Sequence, residues 1–77
     1  MIYFLLCAYN EEINIENVIN SIRRQMKNYK IVVVNDGSTD NTKYILEKLS
    51  LDDMVVIHHQ KNLGLGFALK TGFEYII

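Results

Sequence analysis

Three times along the chain a short apolar run gives way to a cluster of turn-forming residues and then to an apolar pattern of helical period. That alternation leaves few folds open. The runs are Ile2 to Ala8, Ile31 to Val34 and Met54 to Ile57. Their apolarity is continuous rather than alternating, which suits strands covered on both faces. Strand-helix units repeated this way predict an α/β fold whose strands form one parallel sheet joined by right-handed crossovers.

The helical segments are legible from their spacing. Ile15, Val18, Ile19, Ile22 and Met26 fall on one helix face, with Asn14 placed to cap it and Glu16 suited to the first-turn dipole. A second helix is expected from about Asn41 to Leu49, with Ile45, Leu46 and Leu49 inward and Asp40 as a cap. A third is expected from Gly64 to Ile77, with Ala68, Leu69, Gly72, Phe73 and Ile76 on one face. No helix stop signal follows Tyr75-Ile76-Ile77, so residues 1–77 read as one partial, truncated domain. The alternative is a compact mini-domain that ends on a helix.

Composition narrows the function classes. At 49% apolar the chain is no disordered tail, and a net charge of −1 with interspersed signs offers no basic stripe for nucleic acid. The lone Cys7 sits in an apolar run and suggests a buried thiol in a reducing compartment. The first apolar run lacks a charged leader and is too short to span a bilayer. The expectation is a cytoplasmic chain, with any membrane association supplied by segments outside it.

In open α/β sheets, ligands bind beyond the C-terminal ends of the strands. The loops expected there are Tyr9-Asn10-Glu11-Glu12, Asn35-Asp36-Gly37-Ser38 and the stretch from His58 to Gly66. Asp36 follows a buried strand and precedes a Gly. As an acceptor-only carboxylate beside backbone amides it suits an imide N–H, as in uracil, or the paired donors of guanine. It suits adenine poorly. The same residue could instead form an Asx-turn that caps the second helix. Tyr9 could stack on a base or cover the sheet edge. Glu11 and Glu12 could contact a ribose or form a solvated pair. His58 and His59 are adjacent, so in a strand they point to opposite faces, a poor spacing for one metal site. Two phosphate-binding patterns fail at the same residue. Leu69 stands where both the P-loop and the dinucleotide fingerprint require glycine. Gly64 and Gly66 still allow a diphosphate to approach a helix N-terminus, or simply give a helix start that needs flexible backbone.

Taken together, the loops resemble the family 2 glycosyltransferases of the GT-A, Rossmann-like fold. Ala8-Tyr9-Asn10-Glu11-Glu12 is similar to that family's opening Pro-X-Tyr-Asn-Glu motif, with Cys7 at the usual Pro position. Val33-Val34-Asn35-Asp36-Gly37-Ser38-Thr39-Asp40 resembles its Val-Val-Asp-Asp-Gly-Ser-Thr-Asp signature, with Asn35 replacing the first Asp. Asn62-Leu63-Gly64-Leu65-Gly66-Phe67-Ala68, followed by Gly72, is similar to its third element and looks closest to the polyprenol-phosphate branch. The resemblance implies a UDP- or GDP-sugar donor and an inverting transfer to an acceptor, with a polyprenyl phosphate among the candidates. It implies that Asp36 meets the base, that Tyr9 and Glu11 line the base and ribose pocket, and that Ala8, Gly37, Asn62, Gly64 and Gly66 complete the nucleotide site.

The resemblance also implies a divalent cation, Mg²⁺ or Mn²⁺, held by an Asp-X-Asp motif on a later strand, with the catalytic base further on. No Asp-X-Asp occurs here, and Asp52-Asp53 precedes the third strand on the wrong rim. The expectation is therefore a nucleotide-binding segment with no catalytic or metal-ligating residue, which needs the remainder of a transferase domain as its partner. The competing reading is a non-catalytic α/β nucleotide-binding or interaction module, or an inactive gene remnant.

Overall fold

A computed structural model describes residues 1–77. Strands β1 (Ile2–Ala8), β2 (Tyr29–Asp36) and β3 (Met54–His59) alternate with helices α1 (Ile15–Gln25), α2 (Thr42–Leu49) and α3 (Leu65–Ile76). All pairings are parallel and the sheet order is β1-β2-β3. This is the α/β arrangement expected from the alternation. The central position of β2 explains its unbroken Ile31-Val32-Val33-Val34 run, in which every residue is fully buried.

Side-chain alternation divides β2 between two layers. Ile31 and Val33 join Ala8, Ile15, Ile19, Leu46 and Met54 in one core, under α1 and α2. Val32 and Val34 face the other way, toward α3, which packs on β2 and β1. The two helices on the first face carry the chain from β1 to β2 to β3. The third returns across the opposite face. The chain's progress across the sheet therefore reverses after β3, and ligands of open α/β sheets collect where such a reversal occurs.

The strands outrun their apolar runs. β2 starts at Tyr29 and ends at Asp36, and β3 continues through both histidines. The cause is pairing: Asn35 stands opposite His58, and Asp36 opposite His59. Polar side chains can continue a ladder when they satisfy one another, and Asn35 Nδ2 lies 3.0 Å from His58 Nδ1.

Helix ends depart from the expectation in detail. Asn14 and Asn41 hold the N-cap positions of α1 and α2, yet neither side chain caps. Asp40 supplies the bond for α2, accepting from the Thr42 amide at 2.9 Å. α1 ends at Gln25 rather than reaching Met26, and Val18 is 42% exposed although it shares the periodic face. In α3 the residues against the sheet are Ala68 and Gly72, while Leu69 and Phe73 are 37% and 53% exposed. Gly72 is the reason. A Cβ there would lie 2.2 Å from Leu5 Cδ1, so the helix sits on β1 at its smallest residues and its larger ones turn outward.

Candidate nucleotide site

At the C-terminal rim the first two loops are stitched together by side chains that serve backbone. Asn10 adopts φ +53°, and its Oδ1 accepts from the amides of Thr39 at 2.8 Å and Asp40 at 3.3 Å. Its own amide donates to Ser38 Oγ at 2.9 Å. The Glu11 amide donates to Thr42 Oγ1 at 2.9 Å, and the Glu12 amide to Asp40 Oδ2 at 3.3 Å. Asn, Ser, Thr and Asp are suited to this work because their short side chains mimic a backbone turn.

The third loop is fixed by Asp36. Asp36 Oδ1 accepts from the Leu63 amide and from His59 Nδ1, at 2.9 and 2.8 Å. Oδ2 accepts from the Gly64 amide at 2.9 Å. The side chain is only 6% exposed. Burial by itself pushes this carboxyl up, but the bonds from His59, Leu63 and Gly64 outweigh it and hold the group below the ordinary carboxylate value. Gly37 completes the junction. It takes φ +70°, and a Cβ on it would lie 2.1 Å from the Lys61 carbonyl carbon. Only glycine lets the second loop pass under the third so closely.

Between these loops lies a cleft of about 230 Å³ lined by Cys7, Ala8, Tyr9, Asp36, Asn62, Gly64, Leu65 and Ala68. It sits at the ends of β1 and β2, beside the start of α3, where the chain reverses across the sheet. Its volume is below the roughly 300–1,000 Å³ of whole small-molecule sites.

The family model described as glycosyl transferase family 2 matches residues 3–76. The chain belongs to that family. Among curated glycosyltransferases, it is 36% identical to the UDP-N-acetylglucosamine–dolichyl-phosphate N-acetylglucosaminyltransferase of Methanococcus voltae, over 96% of this chain and 35% of that protein. It is 41% identical to an uncharacterized glycosyltransferase of Haemophilus influenzae, over 94% of this chain and 23% of that protein. It is 35% identical to the poly-beta-1,6-N-acetyl-D-glucosamine synthase of Staphylococcus aureus, over 95% of this chain and 18% of that protein. The chain thus spans between about a fifth and a third of the length of these relatives.

For this family 2 chain, the structure sorts the residues singled out from sequence into two groups. Ala8, Tyr9, Asp36, Asn62 and Gly64 line the cleft. Glu11, Gly37 and Gly66 do not. Glu11 lines an adjoining hollow with Leu5, Leu6, Cys7, Asn14, Ile15 and Val18 along the free side of β1. Gly37 lies behind the cleft, where it works through backbone packing. Gly66 is in the first turn of α3, with open space where a Cβ would be. Glu12 accepts from Asn41 Nδ2 at 3.3 Å and remains exposed. Asp36 does not cap α2, since Asp40 does that, and the loop amides of Leu63 and Gly64 are bonded to Asp36. Cys7, Leu65 and Ala68, which sequence reasoning did not assign to the nucleotide site, also line the cleft, and His59, weighed from sequence only as a metal ligand, bonds Asp36 and Thr71.

The two histidines point to opposite faces, as alternation requires. His58 meets Asn35 and lies 4.0 Å from Glu47, and burial followed by the Lys43 charge pushes it below its ordinary value. His59 meets Asp36 and Thr71. No three His, Cys, Asp or Glu side chains converge in a way that could hold a metal ion. The chain's residues do not fit the cation that the family resemblance implies. No helix is long and apolar enough to cross a membrane.

Proposed function

We propose that the cleft binds the base of a nucleotide-sugar donor, and that the chain is the donor-binding part of a glycosyltransferase. The observation that carries this reading is the state of the Asp36 carboxylate. Oδ1 already accepts two hydrogen bonds, whereas Oδ2 accepts one. A carboxylate oxygen can take two, so Oδ2 keeps one acceptor position in a cleft that Asp36 lines. A charged acceptor with one open position, surrounded by Ala8, Leu65 and Ala68, selects a ligand that brings an N–H. Uracil and guanine offer a ring N–H for it, whereas adenine's ring nitrogens only accept and its one donor is the exocyclic amine. The exposed Tyr9 ring at the mouth suits stacking on that base. The diphosphate then runs toward the start of α3, where Gly64 and Gly66 keep the backbone accessible.

Uridine is the favoured base, because the named Methanococcus relative uses UDP-N-acetylglucosamine. The same relative's dolichyl-phosphate acceptor favours a polyprenyl phosphate here, while the staphylococcal relative's product favours a growing polysaccharide. Transfer itself requires a cation, Mg²⁺ or Mn²⁺, and a base that these residues do not supply. The 77-residue chain alone therefore transfers no sugar.

Calorimetric titration with UDP, GDP, ADP and N3-methyl-UDP tests the reading. A charge-assisted bond is worth roughly 1.5–3 kcal/mol, so UDP should bind about ten- to a hundredfold tighter than its N3-methyl analogue. Equal affinities for the two would remove Asp36 from base recognition.

A further inference from the structure

One polar chain, part-buried at His59, links the cleft to the far side of the third loop. His59 Nδ1 lies 2.8 Å from Asp36 Oδ1, and its Nε2 lies 2.9 Å from Thr71 Oγ1. Thr71 Oγ1 in turn donates to the Phe67 carbonyl at 3.1 Å. The His59 side chain is 10% exposed, and the Phe67 ring closes over it edge-on, with centroids 5.7 Å apart. None of these three residues lines the cleft. The side chain of His59 is the sole one that bonds the Asp36 carboxylate, because the other two donors are loop amides.

We propose that His59 is a positioning residue for the nucleotide site, acting through Asp36. The claim rests on the donor-binding reading above for its functional consequence, but its structural part stands independently. A carboxylate on Cβ can rotate about χ2, and such torsions are broad. The two loop amides cannot fix that rotation by themselves, because they belong to the loop that the carboxylate is holding. His59 is anchored separately, by β3 backbone pairing, by Thr71 and by Phe67. It therefore supplies the fixed point. Since Asp36 Oδ1 is an acceptor, Nδ1 carries the proton of that bond. Filling Oδ1 with His59 and Leu63 leaves Oδ2 as the oxygen that meets both Gly64 and a ligand. His59 thereby decides which carboxylate oxygen faces the cleft, and it keeps the Leu63–Gly64 backbone at one wall.

Two substitutions separate this role from a general packing role. Asn carries its amide nitrogen where imidazole carries Nδ1, so His59→Asn can still donate to Asp36 but cannot reach Thr71. Gln carries its amide where imidazole carries Nε2, so His59→Gln can still meet Thr71 but not Asp36. Amide hydrogen exchange of Leu63 and Gly64 is read relative to Val33 and Val34, which report global opening. It should stay near wild type in His59→Asn and accelerate about tenfold or more in His59→Gln. UDP affinity should follow the same order, within about threefold for Asn and about ten- to a hundredfold weaker for Gln, the factor of one charge-assisted bond. A slowly exchanging Nδ1–H proton on His59, lost in Asp36→Ala, is the spectroscopic signature. Equal behaviour of the two variants, or faster exchange in His59→Asn than in His59→Gln, overturns the proposal. If the wild-type chain binds no nucleotide, the donor-binding reading fails, and the exchange data still decide whether His59 positions Asp36 and its loop.

Discussion

Two aspartates at opposite ends of the sheet are held in nearly the same way, yet only one borders a site. At the N-terminal rim, Asp53 takes Arg23 Nη2 on Oδ1 at 2.9 Å, and Arg23 Nε and Tyr29 Oη on Oδ2 at 2.9 and 2.7 Å. At the C-terminal rim, Asp36 takes His59 and two loop amides. Asp53 is tied to side chains that radiate from packed elements, and Arg23 also donates to the Leu49 carbonyl at 2.7 Å. That arrangement is a bidentate clamp that closes the bottom of the molecule. Two of the three bonds to Asp36 come from backbone amides of a loop, so besides meeting His59 of β3 it shapes a wall. A perturbed carboxylate is thus no mark of function by itself. Each carboxylate has one oxygen that accepts a single bond, and what distinguishes Asp36 is that it lines a cleft at the reversal point of the sheet.

The largest effect expected is on the glycine that allows the third loop to lie where Asp36 can hold it. Gly37→Ala places a methyl against the Lys61 backbone at φ +70°. Left-handed strain of about 1–3 kcal/mol combines with overpacking of about 1–3 kcal/mol. A chain of this size has only about 4–12 kcal/mol of stability in total. Urea unfolding should show half or more of it lost. Gly64→Ala has φ +95° but open space around it, so it should show the strain alone. Equal shifts in the two midpoints would mean that the close pass under Lys61 matters less than the backbone angle.

Next in size is the exchange of charge for amide at the two aspartates. Asp53→Asn should cost about 1–3 kcal/mol of stability, the scale of a charge-assisted bond, and leave UDP affinity unchanged. Asp36→Asn should cost a similar amount and weaken UDP about ten- to a hundredfold. A drop in UDP affinity from Asp53→Asn would erase the distinction between the two rims.

Acid should act on both rims in the same direction. The Arg23 bonds hold Asp53 below the ordinary value of 3.8, against the opposing effect of burial, and the bonds already described do so for Asp36. A depressed folded-state pKa contributes stability that is fully present above the unfolded value and is lost as pH falls through the folded one. A smaller loss of stability should begin as pH drops through the ordinary histidine value of 6.5, because folded His58 is held below it, and the carboxylates' own decline should follow below about 4. Removing either carboxylate should flatten that decline. A decline that is identical in wild type, Asp36→Asn and Asp53→Asn would show that other carboxylates control it.

Much of this was legible in the residues, and what was not has identifiable causes. Apolar runs located the strands, because burial on both faces demands them, and turn clusters located the site loops. Strand ends were hidden. Asn35, Asp36, His58 and His59 are polar, and only their pairing across strands keeps them in the sheet. The rotation of α3 was hidden as well. A helix apolar on most sides does not announce its inner face, and Gly72 decides it through contact with Leu5. The separation of Glu11, Gly37 and Gly66 from the cleft is likewise invisible to motif spacing. A motif places residues in one loop, whereas the packing of loops decides which of them face a ligand.

The smallest effect expected lies at Gly66, and it bears directly on where the diphosphate runs. Its φ is not among the positive ones, and nothing stands within 4 Å of an added Cβ, so alanine fits without strain. Gly66→Ala should then raise stability by about 0.4–1 kcal/mol, chiefly by restricting the unfolded chain. Its effect on ligands separates two roles for the same residue. If Gly66 serves close approach of a diphosphate to the first turn of α3, UDP affinity falls while uridine affinity does not, because uridine carries no phosphate to meet the new methyl. If Gly66 is only a permissive helix start, both affinities stay at the wild-type value while the unfolding midpoint rises. A loss of uridine binding in this variant would place the base itself against α3, and would move the ligand away from the Asp36 side of the cleft.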